Sequence, residues 1–228
     1  ATLCKSNIIL KNKMTSNTNQ KYIANLVTHS EETLAMLSNA QKAKRERMVC
    51  AAFLRCLGIS FSSKDIESSQ DDPPDVTFKD ACFEVRELID KGRKRGDEYK
   101  RRHETLKNAS SIDDVLLPNK LPIPISYNII FQLVTAALSK KASRYGKQGC
   151  SNLDALVYIN LQNRFLDPTT GITAFDSLIT QGWRSVSFVT SAYSHVIFAQ
   201  NTASDFLKLN TGAAKQKWDN PFTLFEIN

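Results

Sequence analysis

The sequence predicts an α/β protein in which helices flank a mixed β-sheet. Three observations support this class. Amphipathic helical patterns occur early and in the middle of the chain, a tight hairpin of two strands lies between them, and the later strand patterns are apolar on both faces. Strands of that kind are typical of a sheet that is covered on both sides by helices. We therefore expect a layered α/β fold.

The first predicted helix spans residues 30–57. Ser30 is a suitable N-cap, and Gly58 is a suitable stop. Glu46 shares its apolar stripe with Phe53, seven residues later. A carboxylate on such a stripe is unusual, because a buried charge needs compensation. Glu46 therefore either forms a structural ion pair or belongs to a charged site.

A β-hairpin follows Pro73-Pro74 and turns at Lys79-Asp80. A two-residue turn places Asp75 directly opposite Glu84 on the polar face of the hairpin. Like charges in that position repel each other, and a divalent cation such as Mg²⁺ would hold them together. A three-residue turn would break the pair, and acidic residues are also common in ordinary turns. The hairpin is therefore a candidate metal site whose existence depends on the turn.

The remaining pattern alternates between strands and helices and contains no internal repeat. A linker rich in Ser, Asp and Pro spans residues 108–124. We expect a flexible tail over residues 1–29 and a single domain over residues 30–228. The further elements are predicted to be a short strand at 59–63 and helices at 97–106 and 127–145. They are followed by buried strands at 153–160, 186–190 and 194–199 and by a terminal helix or loop over 204–228.

Composition narrows the class of protein. Hydrophobic residues make up 42% and charged residues 23%, as in ordinary globular proteins. No apolar run approaches the roughly 18 residues of a membrane span, and the first twenty residues lack the apolar segment of a signal peptide. The five cysteines show no Cys-x-x-Cys spacing that would indicate structural zinc. We expect a cytoplasmic protein without a membrane partner.

Positive charge is concentrated in a few segments. The chain has 30 Lys and Arg against 23 Asp and Glu, a net charge of +7. Basic segments near a carboxylate pair favour a nucleic-acid backbone as partner, whereas the alternative is that they are solvated helix faces. The candidate contacts are Lys44, Arg45, Lys91, Arg93, Lys94, Arg95, Lys100, Arg101, Arg102, Lys140, Lys141 and Arg144.

An upstream helix with Glu46, then Pro74-Asp75 and Glu84-Val85-Arg86 on a hairpin, resembles the PD-(D/E)xK nuclease superfamily. A longer series is similar to an uncharacterised bacterial family of proposed endonucleases. That series consists of Leu37-Ser38-Asn39-Ala40, Arg45-Glu46-Arg47, Pro73-Pro74-Asp75-Val76, Phe83-Glu84-Val85 and Gln181-Gly182-Trp183-Arg184-Ser185.

The superfamily resemblance implies a restriction-endonuclease-like core and a metal-dependent reaction. Asp75, Glu84 and the Val85 carbonyl would bind Mg²⁺ or Mn²⁺, and Glu46 would be a further ligand. The metal would activate a water and neutralise charge on the scissile phosphate. The implied substrate is DNA, with RNA as an alternative, and a homodimer would suit cleavage of both strands.

Arg86 departs from the superfamily pattern, which has Lys at this position. Arginine supplies charge and donors, but it cannot accept a proton. Three alternatives follow. Arg86 acts only electrostatically, or Lys140 or Lys141 on the later helix replaces the lysine in space, or the site is impaired and the fold only binds nucleic acid. A regulatory module that binds an acidic partner is a further reading.

Other motifs are less informative. The three histidines lie in different predicted elements, and His195 is expected to be a core or edge residue of an apolar strand. Trp183-Arg184 either contacts a nucleic acid or packs at the entry of a strand, with the arginine paired to an acid. Asp154 opens a buried strand and is either structural or close to the site. No nucleotide-binding or serine-hydrolase signature occurs.

Overall fold

A computed structural model describes residues 2–94, 96–116, 121–167 and 176–215, with side chains between residues 17 and 213 of these ranges. The helices are α1 (Thr2–Met36), α2 (Lys42–Cys56), α3 (Asp97–Lys107), α4 (Tyr127–Cys150), α5 (Asp176–Ile179) and α6 (Asp205–Leu209). The strands are β1 (Ile66–Ser68), β2 (Val76–Phe78), β3 (Ala81–Ile89), β4 (Ile123–Ser126), β5 (Asp154–Asn160), β6 (Arg164–Asp167), β7 (Ser185–Val189), β8 (Tyr193–Ala199) and β9 (Gly212–Lys215).

Contacts divide the chain into two compact units. The first contains residues 1–41 and 92–120, and the second contains residues 42–91 and 121–228. In the first unit, α1 packs against α3, and a small apolar cluster joins Ile23 to Leu106. The predicted division into a tail over 1–29 and one domain over 30–228 differs from these units.

The second unit contains a seven-stranded mixed sheet in the order β1-β2-β3-β5-β7-β8-β9. Its central strands β3, β5 and β7 are parallel, and their outer neighbours are antiparallel. Strands β4 and β6 form a separate parallel pair. The predicted α/β class, with a mixed sheet flanked by helices, is confirmed.

Two apolar layers cover the sheet. Phe53 of α2 packs edge-to-face on Phe83 of β3, at 5.9 Å between ring centroids. On the opposite layer, Val134 of α4 belongs to the same buried cluster as Val157 and Phe188. Each fully buried large apolar side chain contributes about 1.5–3 kcal/mol to folding. Because successive residues of a strand point to opposite faces, one strand serves both layers.

Several boundaries differ from the sequence predictions. The predicted helix over residues 30–57 is two helices, because Ser38 and Asn39 favour caps and turns over helix interiors, and a short 3-10 turn separates α1 from α2. Helix α1 also covers residues predicted to be a tail. No strand forms at 59–63. A turn closed by the Ser62 N–H bond to Asp65 Oδ2 (2.6 Å) precedes β1 instead.

The later elements are close to their predicted positions. Helix α3, helix α4 and strands β5, β7 and β8 lie within a few residues of the expected bounds. Regular helical geometry in α4 is interrupted at Gly146, which adopts φ 66° and ψ 170°. The short strands β4 and β6 were missed, because each is only four residues long. No helix within the described ranges is long and apolar enough to cross a membrane.

Candidate functional site

The hairpin has the register that a two-residue turn predicts. Val76 pairs with Phe83, and Phe78 pairs with Ala81, which leaves Lys79 and Asp80 as the turn. The ladder of β2 and β3 ends at the pair Val76 and Phe83, so Asp75 and Glu84 are the next residues on the two sides of the hairpin. The prediction of a two-residue turn is therefore confirmed.

Asp75 is fixed against the edge of β3 by its backbone and its side chain. Its N–H donates to the Phe83 carbonyl at 3.0 Å, and its Oδ2 accepts the Val85 N–H at 2.9 Å. Only 7% of the Asp75 side chain is exposed. The chain bends at residues 71–73 and again at Asp75, so it is these two hydrogen bonds that hold Asp75 against β3.

Glu84 lies on the face of β3 opposite Phe83, and its side chain is completely buried. The Lys141 ammonium of α4 contacts Oε1 as an ion pair. Neither carboxylate oxygen has a hydrogen bond of normal geometry within the described residues. A buried carboxylate with so few donors is expensive, since one ion pair seldom offsets the loss of hydration.

Glu46 approaches Asp75 from the α2 layer. Lys42 connects the two acids, because its Nζ lies 2.8 Å from Asp75 Oδ1 and 3.1 Å from Glu46 Oε1. Burial raises the pKa of Glu46, and the nearby Asp75 carboxylate raises it further. The hydrogen bond to Asp75 raises the pKa of Lys42. Glu46 therefore belongs to a charged cluster rather than to the apolar stripe alone.

Opposite layers of the sheet supply the two glutamates. Glu46 comes from α2, which covers the Phe83 face, whereas Glu84 lies on the face covered by α4. Among the described residues, no three His, Cys, Asp or Glu side chains are grouped closely enough to hold one metal ion. The cluster is thus a pair of lysines and three acids distributed around the end of the hairpin.

The lysine that contacts Glu84 comes from α4 rather than from β3. Burial lowers the pKa of Lys141, while the Asp75 carboxylate acts in the opposite direction. Arg86 is exposed, and no hydrogen bond or ion pair joins it to Asp75, Glu84 or Glu46 in the described part of the chain. The signal available in the sequence was the basic end of the predicted helix that became α4.

Predicted nucleic-acid contacts of the second unit differ in their surroundings. Lys44, Lys91 and Lys140 are exposed, and Arg45 is partly buried. Arg144 is exposed, approaches Asp72 at 3.6 Å and lies over the Tyr145 ring.

Two of the predicted contacts in the first unit have structural partners. Arg93 forms an ion pair with Glu98, and Arg102 donates to the Val115 carbonyl at 2.6 Å. Three others are exposed, namely Lys94, Lys100 and Arg101. Arg95 lies outside the described residues.

A second buried carboxylate, Asp154, opens β5 and is fully hydrogen-bonded. Its oxygens accept bonds from Arg184 Nε (3.1 Å), Ser185 Oγ (2.7 Å) and the Cys82 N–H (3.0 Å), and Arg184 Nη2 adds an ion pair. Trp183 is completely buried. The packing alternative for Trp183-Arg184 is therefore the one observed.

His195 is a core residue of β8, in agreement with the sequence. It stacks on Phe188 at 5.4 Å between ring centroids, and only 2% of the residue is exposed. Burial lowers the pKa of its imidazole to about 4. At neutral pH the ring is uncharged, and it is a packing element.

The fold and the cluster define an α/β protein in which three largely buried acids meet two lysines at the end of a hairpin. Residues 18–218 match the family described as "Putative endonuclease, protein of unknown function (DUF1780)". This match covers most of the chain, so the chain belongs to that family.

One solved structure is similar over nearly the whole chain. It is a protein of unknown function from Pseudomonas aeruginosa strain PAO1, described as a member of the monooxygenase superfamily. The two chains are 29% identical, with a TM-score of 0.62, over 86% of this chain and 94% of that chain. No curated protein matches.

Proposed function

We propose that this protein is a metal-dependent endonuclease of the PD-(D/E)xK type that hydrolyses phosphodiester bonds in DNA. The proposal rests on one observation at the end of the hairpin: Asp75 is bound to the Val85 N–H, next to the buried Glu84, which Lys141 contacts. The family description supports nuclease chemistry in general. The metal dependence, the residue roles and the DNA substrate are parts of our proposal.

The donor set suits a hard divalent cation. Mg²⁺ is usually bound by one or two carboxylates and keeps several waters, so Asp75 and Glu84 suffice without a compact group of three acids. The Val85 N–H faces Asp75, and the Val85 carbonyl points to the same edge because both groups of one strand residue do so. Glu46 would act through a water.

A bound Mg²⁺ or Mn²⁺ would lower the pKa of a water and neutralise charge on the phosphate. The chain's own residues would position these partners. The Asp75 Oδ2 atom is held by the Val85 N–H, which fixes the direction of Oδ1, the oxygen that Lys42 contacts. Burial of Glu84 would strengthen the attraction between its carboxylate and a cation, since water does not screen it.

Lys141 takes the role that the superfamily pattern gives to the lysine after the glutamate. Its ammonium lies against Glu84, whereas Arg86 is exposed. A lysine with a lowered pKa can orient a nucleophilic water, stabilise phosphoryl charge and exchange a proton. Arg86 then serves as an outer phosphate contact.

The exposed basic side chains of the second unit would bind the nucleic-acid backbone. Lys44, Lys140 and Arg144 are the strongest candidates, because their charges are accessible to solvent. Backbone contacts of this kind make binding fall steeply with salt and carry no sequence information.

The test is a cleavage assay with supercoiled, linear and single-stranded DNA and with RNA, in Mg²⁺, Mn²⁺ or EDTA. Asp75→Asn and Glu84→Gln remove one charge each without a change of shape. Asp71→Asn, an exposed acid in the approach to the hairpin, is the matched control. We expect metal-dependent cleavage that both site variants reduce by about 100-fold or more and that the control retains.

Two outcomes would overturn this function. Cleavage that persists in EDTA or in both site variants would show that the cluster is not the catalytic site. Salt-sensitive binding without cleavage under any condition would identify a nucleic-acid-binding protein on the same fold. Cleavage of RNA alone would retain the mechanism and change the substrate.

A further inference from the structure

We infer that the Lys42 ammonium is an exchangeable internal cation, which bridges Asp75 and Glu46 in the metal-free protein and leaves when a divalent cation binds. This inference rests on the proposed function, because it concerns the same acids.

The geometry of the bridge is that of a counterion. One nitrogen contacts an oxygen of each acid, at 2.8 Å for Asp75 Oδ1 and 3.1 Å for Glu46 Oε1. Without that nitrogen, two carboxylates from different elements would repel each other across a poorly hydrated space. Lys42 therefore keeps the acids together while no other cation is present.

Exposure identifies which partner can leave. The Asp75 and Glu46 side chains are 7% and 13% exposed, whereas the Lys42 side chain is 62% exposed. The acids are held by the sheet and by α2, but the lysine approaches from solvent on a flexible stem. An ammonium that is already largely hydrated can rotate outward at little cost, and the acids then remain in place for another cation.

A second observation indicates that this cluster has unused capacity for a ligand. Glu84 is completely buried, and both of its oxygens lack a hydrogen bond of normal geometry in the described residues. The Lys141 side chain, which contacts it, is only 24% exposed and cannot rotate into solvent as freely as Lys42. Three acids and two lysines leave one uncompensated negative charge when all five are ionised.

The consequence is an exchange equilibrium. A divalent cation has to displace Lys42, so its apparent affinity is lowered by the fraction of molecules in which the lysine occupies the bridge. Removal of the lysine should therefore tighten metal binding and at the same time weaken the metal-free protein. A purely structural ion pair predicts the second effect without the first.

The experiment compares Lys42→Met with Lys44→Met, an exposed lysine of the same first turn of α2, in the full chain. Mn²⁺ is the probe, with binding followed by electron paramagnetic resonance and stability followed by the melting temperature in EDTA. We expect Lys42→Met to bind Mn²⁺ about tenfold more tightly and to melt at a lower temperature than the wild type. Lys44→Met should change neither quantity appreciably.

Lys42→Gln serves if the methionine variant does not fold. Equal or weaker Mn²⁺ binding in the Lys42 variants overturns the inference. If Asp75→Asn abolishes Mn²⁺ binding in that case, the metal in the proposed function survives. Tighter binding in Lys42→Met without nucleic-acid cleavage by any variant supports the exchange and overturns the function instead. Absence of Mn²⁺ binding in every variant overturns both.

Discussion

Two buried carboxylates on neighbouring strands have very different surroundings. Asp154 on β5 is saturated with hydrogen bonds, because Arg184, Ser185 and the Cys82 N–H all donate to its two oxygens. Glu84 on β3 has a single ammonium against one oxygen and no hydrogen bond of normal geometry within the described residues. Because the register places Asp154 opposite Phe83 and Ala155 opposite Glu84, the two acids are close in the sheet.

The difference separates a structural acid from a candidate site. Saturation compensates the cost of burying a charge, so Asp154 can hold three strands together without any ligand. A buried acid without such donors keeps the free-energy cost of burial, and the binding of a cation would reduce that cost. Burial alone would not distinguish the two residues, since both are completely buried.

The largest effect is expected when the saturated network is broken. Arg184→Ala would leave the Asp154 charge buried without its ion pair, which should reduce the free energy of unfolding by about 3–5 kcal/mol. Urea denaturation followed by circular dichroism measures this loss. A change below about 1 kcal/mol would mean that Asp154 is not the structural acid of the comparison.

The second prediction concerns His195, a neutral side chain whose buried Nδ1 has no hydrogen-bond partner among the described residues. Its pKa is about 4 when folded and 6.5 when exposed, so the unfolded chain binds the proton first as pH falls. Stability from this group is complete above pH 6.5 and should decline by about 3 kcal/mol toward pH 4. The unfolding free energy of wild type and His195→Gln, measured across that range, should converge on acidification. A constant difference between them would contradict the assigned pKa.

The third prediction tests Glu84, the acid without a hydrogen bond of normal geometry among the described residues, through its contact with Lys141. Lys141→Met should reduce cleavage by about 100-fold, because it removes the ammonium that contacts Glu84. Lys140→Met changes an exposed neighbour on the same helix, and although it should weaken DNA binding, it should retain most of the cleavage rate at saturating DNA. Single-turnover rates with saturating DNA separate the chemical step from binding. Equal cleavage rates in the two variants would mean that a residue other than Lys141 supplies the catalytic cation.

The smallest effect is expected at Arg86. Because its side chain is exposed and unconnected to the acids, Arg86→Ala should weaken DNA binding by only a few fold, with little change in the cleavage rate. Titration of labelled DNA at two salt concentrations measures the change. A loss as large as that of Lys141→Met would mean that Arg86, and not Lys141, is the working cation.

Much of the site was predictable because the hairpin that carries Asp75 and Glu84 is formed by residues close together in the sequence. Turn length and alternation place Asp75 next to Glu84, and the observed register agrees. The stripe position of Glu46 indicated an unusual buried charge, and the structure places it beside Asp75. The helix boundaries were less predictable, since the break between α1 and α2 depends on a weak turn preference at Ser38-Asn39.

The sequence by itself determined the α/β class, the hairpin and the acids that close it, because those features depend on periodicity and on residues near one another in the chain. Only the tertiary structure decided which basic residue meets each acid. Lys141 reaches Glu84 because α4 packs across the face of β3, and Lys42 reaches Asp75 because α2 covers the other face. Such contacts depend on how helices pack on a sheet, and no local pattern encodes that arrangement.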